Sequence, residues 1–109
     1  MAAVHALNAH PERHWTPRSL AREMGVSVSL LYELFSAGFG VPPMGYLRTI
    51  RIHISQRLLS ETDQSIPIVA EQAGFASESH FCRVFRELVG ISPLQYRKNA
   101  RLSGIHGNL

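Results

Sequence analysis

Apolar residues recur along much of the chain at intervals of three and four, the spacing of one face of an α-helix. The longest regular run covers residues 47–58, where leucine and isoleucine follow one another at 3-4-4 spacing with no glycine or proline. Shorter runs of the same kind lie on both sides of it, separated by Gly, Ser and Pro. The pattern predicts an all-α fold of about seven helices.

The chain contains an internal repeat with a period of about fifty residues. The shared template is Ala-x3-Gly-x(1–2)-Ser-x3-apolar-x3-Phe-x4-Gly-x2-Pro-x2-Tyr. The paired positions are Ala21 with Ala70, Gly25 with Gly74, Ser27 with Ser77, Leu31 with Phe81, Phe35 with Phe85, Gly40 with Gly90, Pro43 with Pro93 and Tyr46 with Tyr96. We therefore interpret the chain as two copies of one supersecondary unit.

Each copy has the capping residues and the turn glycine expected of a helix, a tight turn and a second helix. The expected N-caps are Thr16, Ser27, Ser65 and Ser77, and the expected turn glycines are Gly25 and Gly74. In the first helix of each copy, the residues expected to form the packed apolar stripe are Leu20, Ala21 and Met24, and Ile66, Val69, Ala70 and Ala73. In the second helix, the residues expected to be buried are Leu31, Leu34 and Phe35, and Phe81, Val84, Phe85 and Leu88. This is the helix-turn-helix arrangement, whose second helix can enter the major groove of DNA.

The repeat also predicts how the chain is divided. We expect a first helix-turn-helix unit over residues 1–42, a linker helix over 43–60, a second unit over 61–102 and a flexible tail over 103–109. The stripe Leu47, Ile50, Ile54 and Leu58 would hold the linker, as a rigid spacer, against both units. A capping box over residues 92–95 would open the last helix.

Composition restricts the classes of function. The net charge is +3 and ten of the eleven basic residues are Arg, which suits a polyanionic partner, although Arg-rich coding in a GC-rich genome would explain it equally well. The single cysteine excludes an intramolecular disulfide, and no apolar run approaches the ~20 residues that cross a bilayer. We expect a cytoplasmic protein without contact to a membrane.

No catalytic triad, phosphate-binding glycine loop or carboxylate pair is present, so we do not expect an enzyme. His5, His10 and His14 lie close together in sequence but lack carboxylate or cysteine partners at ligand spacing. We expect no metal and no cofactor.

The second copy carries the most specific motif in the chain. It reads Ile66-x2-Val69-Ala70-x3-Gly74-Phe75-x-Ser77-x-Ser79-x-Phe81-x-Arg83-x-Phe85-Arg86-x3-Gly90-x-Ser92-Pro93-x2-Tyr96-Arg97. This motif closely resembles the DNA-binding domain of the AraC/XylS family of bacterial transcription regulators, and the resemblance covers about residues 10–101. It implies two helix-turn-helix units that bind adjacent major-groove segments on one face of DNA, and activation through RNA polymerase. Glu33, where many relatives carry Arg, and Pro42, in place of a capping Ser, depart from the pattern in the first unit.

Base contacts are expected from the second helix of each unit, at positions outside its buried stripe. The candidates are Ser29, Tyr32 and Glu33 in the first unit, and Glu78, Ser79, Cys82 and Arg83 in the second. Arg83 is the leading candidate, because Arg bound to guanine O6 and N7 is the commonest specific contact. The alternatives for Arg83 are a solvated side chain or an intrahelical pair with Glu78 or Glu87.

Phosphate contacts are expected near helix N-termini, where free N–H groups attract anions, and from nearby cations. The candidates are Thr16, Arg18, Arg48, Arg51, Ser65, Ile66, His80, Arg86 and Arg97.

Two other readings stay open at this point. The cation-free face of the first unit would also suit a helical module that binds a protein partner instead of DNA. The regulatory part of a DNA-repair enzyme would need a further cysteine-bearing domain. Ligand sensing would require an N-terminal effector-binding domain that 109 residues cannot hold, so we expect this chain to be a C-terminal piece.

Overall fold

The computed structural model describes residues 1–103, and residues 104–109 lie outside the described part. Within it the chain forms seven α-helices and no β-strand, which confirms the predicted all-α fold. The helices are α1 (Ala2–Ala9), α2 (Pro17–Met24), α3 (Val28–Phe39), α4 (Pro43–Glu61), α5 (Ile66–Gln72), α6 (Glu78–Val89) and α7 (Pro93–Ser103). The predicted tail, 103–109, starts with a residue that belongs to α7, and the rest of it falls outside the described residues.

The chain divides into two compact units, Met1–Ile50 and Arg51–Leu109, and the boundary falls inside α4. The predicted boundaries, with a separate linker over 43–60, stay a prediction. The first part of α4 supplies Leu47 to the core of unit 1, and the second part supplies Ile52 and Leu59 to the core of unit 2. Each unit therefore builds its own core with part of one helix.

Unit 1 places α2 and α3 in a helix-turn-helix with the predicted ends. Thr16 caps α2 and forms a reciprocal capping box with Ser19. Gly25 closes α2 in the left-handed region at φ 71°, which a side chain would strain, and Ser27 accepts from the Leu30 N–H to cap α3. The capping and the turn glycine of the first copy are confirmed.

The core of unit 1 also contains a helix that the pattern did not locate. Helix α1 contributes Ala3 and Leu7, and Trp15 lies beside them with its indole N–H donating to the His10 carbonyl at 2.8 Å. Helix α1 has only these two buried positions and no side-chain cap, so its local sequence carries little helical signal.

Unit 2 repeats the arrangement with α5 and α6. Ser65 and Ser77 accept from the backbone N–H groups of Ile68 and His80 and cap the two helices. The aromatic pairs show the repeat directly, because Phe35 and Tyr46 in unit 1 meet edge-on at 5.8 Å and the equivalent Phe85 and Tyr96 in unit 2 meet edge-on at 5.5 Å.

The structure corrects two details of the predicted packing and capping. Leu34 and Leu88, expected in the core, are 41% and 52% exposed, because the neighbouring helices cover only the narrow stripe of α3 and α6 that carries Leu31, Phe35, Phe81, Val84 and Phe85. In α4 the predicted stripe does pack against both cores, Leu47 and Ile50 in unit 1 and Ile54 and Leu58 in unit 2. The buried positions of this helix are Pro43, Leu47, Ile52, Ser55 and Leu59. At the start of α7, Ser92 caps the Gln95 N–H, but the Gln95 amide donates to Asn99, which leaves the capping box half formed.

Two arginines of α7 hold the turn between α4 and α5. Arg97 Nε donates to the Leu59 carbonyl at 3.0 Å, at the end of α4. Arg101 donates to the Thr62 carbonyl at 2.6 Å and pairs with the Asp63 carboxylate at 2.9 Å. These bonds satisfy carbonyl groups at a helix end that have no partner within the helix.

Candidate nucleic-acid interface

Helix α6 presents a polar face on the side opposite its core residues. Phe81, Val84 and Phe85 are buried, whereas Glu78, Ser79 and Arg83 are exposed, as the spacing predicted. Arg86 lies on the same exposed side, three residues beyond Arg83. Because the N-terminal residues of a recognition helix reach base edges, Ser79 and Arg83 occupy positions suited to reading DNA.

The guanidinium groups of Arg83 and Arg86 are not engaged within the protein. No hydrogen bond or ion pair joins either side chain to another residue of the described part of the chain. The alternative pairing of Arg83 with Glu78 or Glu87 is therefore not formed. Two guanidinium groups with free donors stand on one face, in a geometry that suits guanine edges and phosphates.

Cys82 lies at the border between this face and the core. Its side chain is partly buried and packs against the core of unit 2. Burial raises the pKa of the thiol, and the nearby Glu78 carboxylate raises that pKa further. The thiol is therefore protonated at neutral pH, which disfavours a redox role. Of the seven predicted base contacts, Cys82 is the one that packs against the core.

Helix α3 presents a face of different chemistry. Ser29, Tyr32 and Glu33 are all exposed, as predicted. The helix carries no Lys or Arg, and the Glu33 carboxylate has no ion pair or hydrogen bond within residues 1–103. Helix α3 thus offers its partner a carboxylate, hydroxyls and apolar groups but no cation.

The predicted phosphate contacts fall into two groups. The side chains of Arg18, Arg48 and Arg86 are exposed and have no protein partner in the described region, and His80 is exposed with its ring edge-on to Phe75 at 5.6 Å. Thr16 and Ser65 use their hydroxyls as helix caps, Ile66 and Arg51 are partly buried, and Arg97 is committed through Nε to the Leu59 carbonyl. Phosphate contact stays a prediction for all of them.

The hydrogen bonds made by Arg97 and Arg101 were missed by the sequence reasoning. Arg97 was expected to contact phosphate and no role was predicted for Arg101, and their partners Leu59 and Thr62 lie 38 and 39 positions earlier in the chain. Only the packing of α7 on the α4–α5 turn reveals this role, so no local signal in the sequence could have identified it.

Two further findings concern the histidines and the apolar character of the helices. His5, His10 and His14 are exposed, and no group of three His, Cys, Asp or Glu side chains within residues 1–103 is arranged to hold a metal ion. In the same part of the chain, no helix is both long enough and apolar enough to span a membrane.

Comparison with known proteins places this arrangement in a family. A family model described as a helix-turn-helix domain matches residues 20–99. A putative AraC-like transcription regulator from Streptomyces lividans is 35% identical over 89% of this chain. The transcriptional regulator ExsA from Pseudomonas aeruginosa is 32% identical over 87% of it. The chain belongs to the AraC-type family of helix-turn-helix DNA-binding domains, which confirms the resemblance inferred from the motif.

Solved structures agree with this assignment. The DNA-binding domain of AdpA, determined in complex with a target DNA, superposes with a TM-score of 0.91 and 29% identity, over 97% of this chain and 96% of that one. An AraC-type regulator from Chromobacterium violaceum superposes with a TM-score of 0.83 and 30% identity, over 90% and 88% of the two chains. The chain spans about a third of the length of the curated relatives, 32% of the Streptomyces protein and 36% of ExsA.

Proposed function

We propose that this chain binds double-stranded DNA sequence-specifically, with α3 and α6 entering adjacent major-groove segments, and that it regulates transcription. The observation that carries the proposal is the exposed face of α6, where Arg83 and Arg86 have no partner among residues 1–103. A helix-turn-helix places its second helix in the major groove, where Arg binds guanine bidentately. The similarity to a domain solved with its target DNA supports the same conclusion.

The partners of the whole protein follow from this proposal. The protein would act in the cytoplasm, and it would activate transcription by contacting RNA polymerase. Sensing of an effector would belong to an N-terminal domain outside this chain. The much greater length of the relatives leaves room for such a domain.

A second candidate function is the binding of a protein partner through unit 1. The observation that favours it is the apolar surface of α3, where Leu30 and Leu34 are each 41% exposed. A recognition helix that reads DNA needs only one of its sides, and these leucines, each two residues from Tyr32, lie away from its ring. This function would add to DNA binding by unit 2 and does not replace it.

Fluorescence anisotropy with a labelled duplex tests the proposal. The chain should bind random duplex weakly, with an affinity that falls steeply from low to moderate salt because phosphate contacts release counterions. On a duplex selected from a random library, Arg83→Ala should weaken binding by about 1–3 kcal/mol and relax one base position. Arg57→Ala is the matched control, since Arg57 is an exposed cation outside every expected contact. Absence of binding to any duplex at low salt would refute the proposal.

A further inference from the structure

The two recognition helices differ in the chemistry of their groove-facing side. Helix α6 exposes Arg83 and Arg86. On α3, the face that corresponds carries Val28, Ser29, Tyr32 and Glu33, all exposed, of which Val28 and Tyr32 are 36% and 41% accessible. Tyr32 follows Val28 by four residues, so the two side chains lie one above the other along the helix.

Val28 and Tyr32 point to a different side of α3 from its other apolar residues, because successive residues of a helix are about 100° apart around its axis. Leu31 and Phe35 face the core of unit 1. Leu30 lies two residues before Tyr32, so the two side chains point to nearly opposite sides, although both are 41% exposed. Glu33 follows Tyr32 by one residue and Leu30 by three, so its carboxylate lies between two apolar surfaces, one of Val28 and Tyr32 and the other of the leucines.

Each base edge in the major groove demands a particular partner. Guanine offers two acceptors, which require a donor such as Arg, and α3 has no Lys or Arg. A carboxylate facing guanine N7 and O6 would bring acceptors together, whereas it can accept from an amino group of cytosine or adenine. The 5-methyl group of thymine needs only an apolar contact.

Building on the proposed function, we propose that α3 reads its DNA segment through thymine methyl groups. Val28 and the ring of Tyr32 pack on these methyl groups, and the unpaired carboxylate of Glu33 disfavours guanine at the neighbouring position. Unit 1 therefore selects a thymine-rich segment by apolar contact and repulsion, while unit 2 selects guanine by hydrogen bonds. The two units would therefore differ in the interactions that give specificity as well as in the base sequence that they select.

The test removes methyl groups from the DNA without changing base pairing. A high-affinity duplex is selected from a random library, and deoxyuridine replaces thymidine in one segment at a time. In the segment bound by unit 1, each contacted methyl that is lost should weaken binding by roughly three- to fivefold. In the other segment, deoxyuridine should have little effect, and 7-deazaguanine, which lacks the N7 acceptor, should weaken binding instead.

Protein variants assign the effect to one side of α3. With Tyr32→Ala the affinity for the normal duplex should fall and the response to deoxyuridine should shrink, because only the contact of Val28 remains. Tyr32→Phe should keep the full response, because the ring and not the hydroxyl makes the contact. Leu30→Ala is the matched control, equally exposed on the other side of the same helix, and should leave the response unchanged.

The outcomes separate this inference from the proposed function. A chain that binds the selected duplex through Arg83 but is indifferent to deoxyuridine in both segments overturns the thymine proposal and leaves DNA binding intact. Loss of the methyl response in Leu30→Ala, with retention in Tyr32→Ala, also overturns it, because the opposite side of α3 would then face the groove. Failure to bind any duplex refutes the proposed function itself. Circular dichroism of each variant establishes that it is folded.

Discussion

Replacement of Arg97 decides between two roles for this side chain, as a phosphate contact or as a support for the turn after α4. In the structure its Nε donates to the Leu59 carbonyl at 3.0 Å in partly buried surroundings. Arg97→Ala would remove this bond and leave the carbonyl without its partner. A hydrogen bond from a charged donor contributes about 1.5–3 kcal/mol to stability. Nη2 of Arg97 is buried with no partner in the described residues, and its desolvation offsets part of that gain.

We therefore expect Arg97→Ala to lower the free energy of unfolding by about 1–2 kcal/mol, which is near or below the lower end of the range for a hydrogen bond from a charged donor. The assay is urea unfolding followed by circular dichroism at several wavelengths. Trp15 is the single tryptophan and lies in the core of unit 1, so its fluorescence follows unit 1 separately. Lys98→Ala is the control, because Lys98 is an exposed neighbour without a protein partner in the described residues and should change stability by less than about 0.5 kcal/mol.

The same variants are then titrated with DNA at several salt concentrations. A phosphate contact contributes close to one unit to the slope of log K against log salt. If Arg97→Ala matched Lys98→Ala in stability and lowered that slope by about one, the turn-holding role would be refuted. A lower unfolding midpoint with an unchanged slope is the expected result.

Three further predictions follow from the same geometry. Glu33→Ala should weaken binding to the selected site less than Arg83→Ala, or tighten binding to random duplex, because it removes a negative charge from the groove; a larger loss for Glu33→Ala would reverse the ranking of the two units. Ile54→Pro should break α4 at a cost of roughly 3 kcal/mol or more and lower the affinity for a two-segment site toward that of one unit; full binding by a variant whose circular dichroism melt is intact would refute the rigid-spacer idea. The raised pKa of the Cys82 thiol should make alkylation by iodoacetamide at pH 8 slower than in the urea-unfolded chain, because less thiolate is present, and equal rates would contradict the burial of the thiol.

The parts of the fold that sequence reasoning predicted correctly are those determined within a few residues. The serine and threonine caps and Gly25 act on their own helix ends, so their spacing alone identifies the turn of each unit. Arg83 was placed on an open face because the positions around it are apolar at helical spacing. The repeat strengthened both conclusions, since each copy independently predicted the other.

The parts that sequence reasoning missed depend on neighbours far along the chain. Helical spacing marks Leu34 and Leu88 as apolar, but only the neighbouring helices decide how wide the covered stripe is. Ser55 is fully buried, and its hydroxyl donates to the Ile52 carbonyl at 2.7 Å, so its polar group is satisfied without water. A search for apolar residues at helical spacing passes over such a position. The bond from Arg97 to Leu59 spans 38 residues and leaves no local trace.

The central claim is that one chain carries both DNA-reading helices. Stoichiometric titration of a selected duplex by anisotropy, at a DNA concentration far above Kd, tests it most directly when the same complex is mapped by hydroxyl-radical footprinting. The expected result is one chain per duplex, with protection that spans two consecutive major-groove segments about 34 Å apart on one face. Two chains per duplex, or protection confined to one segment, would contradict the claim.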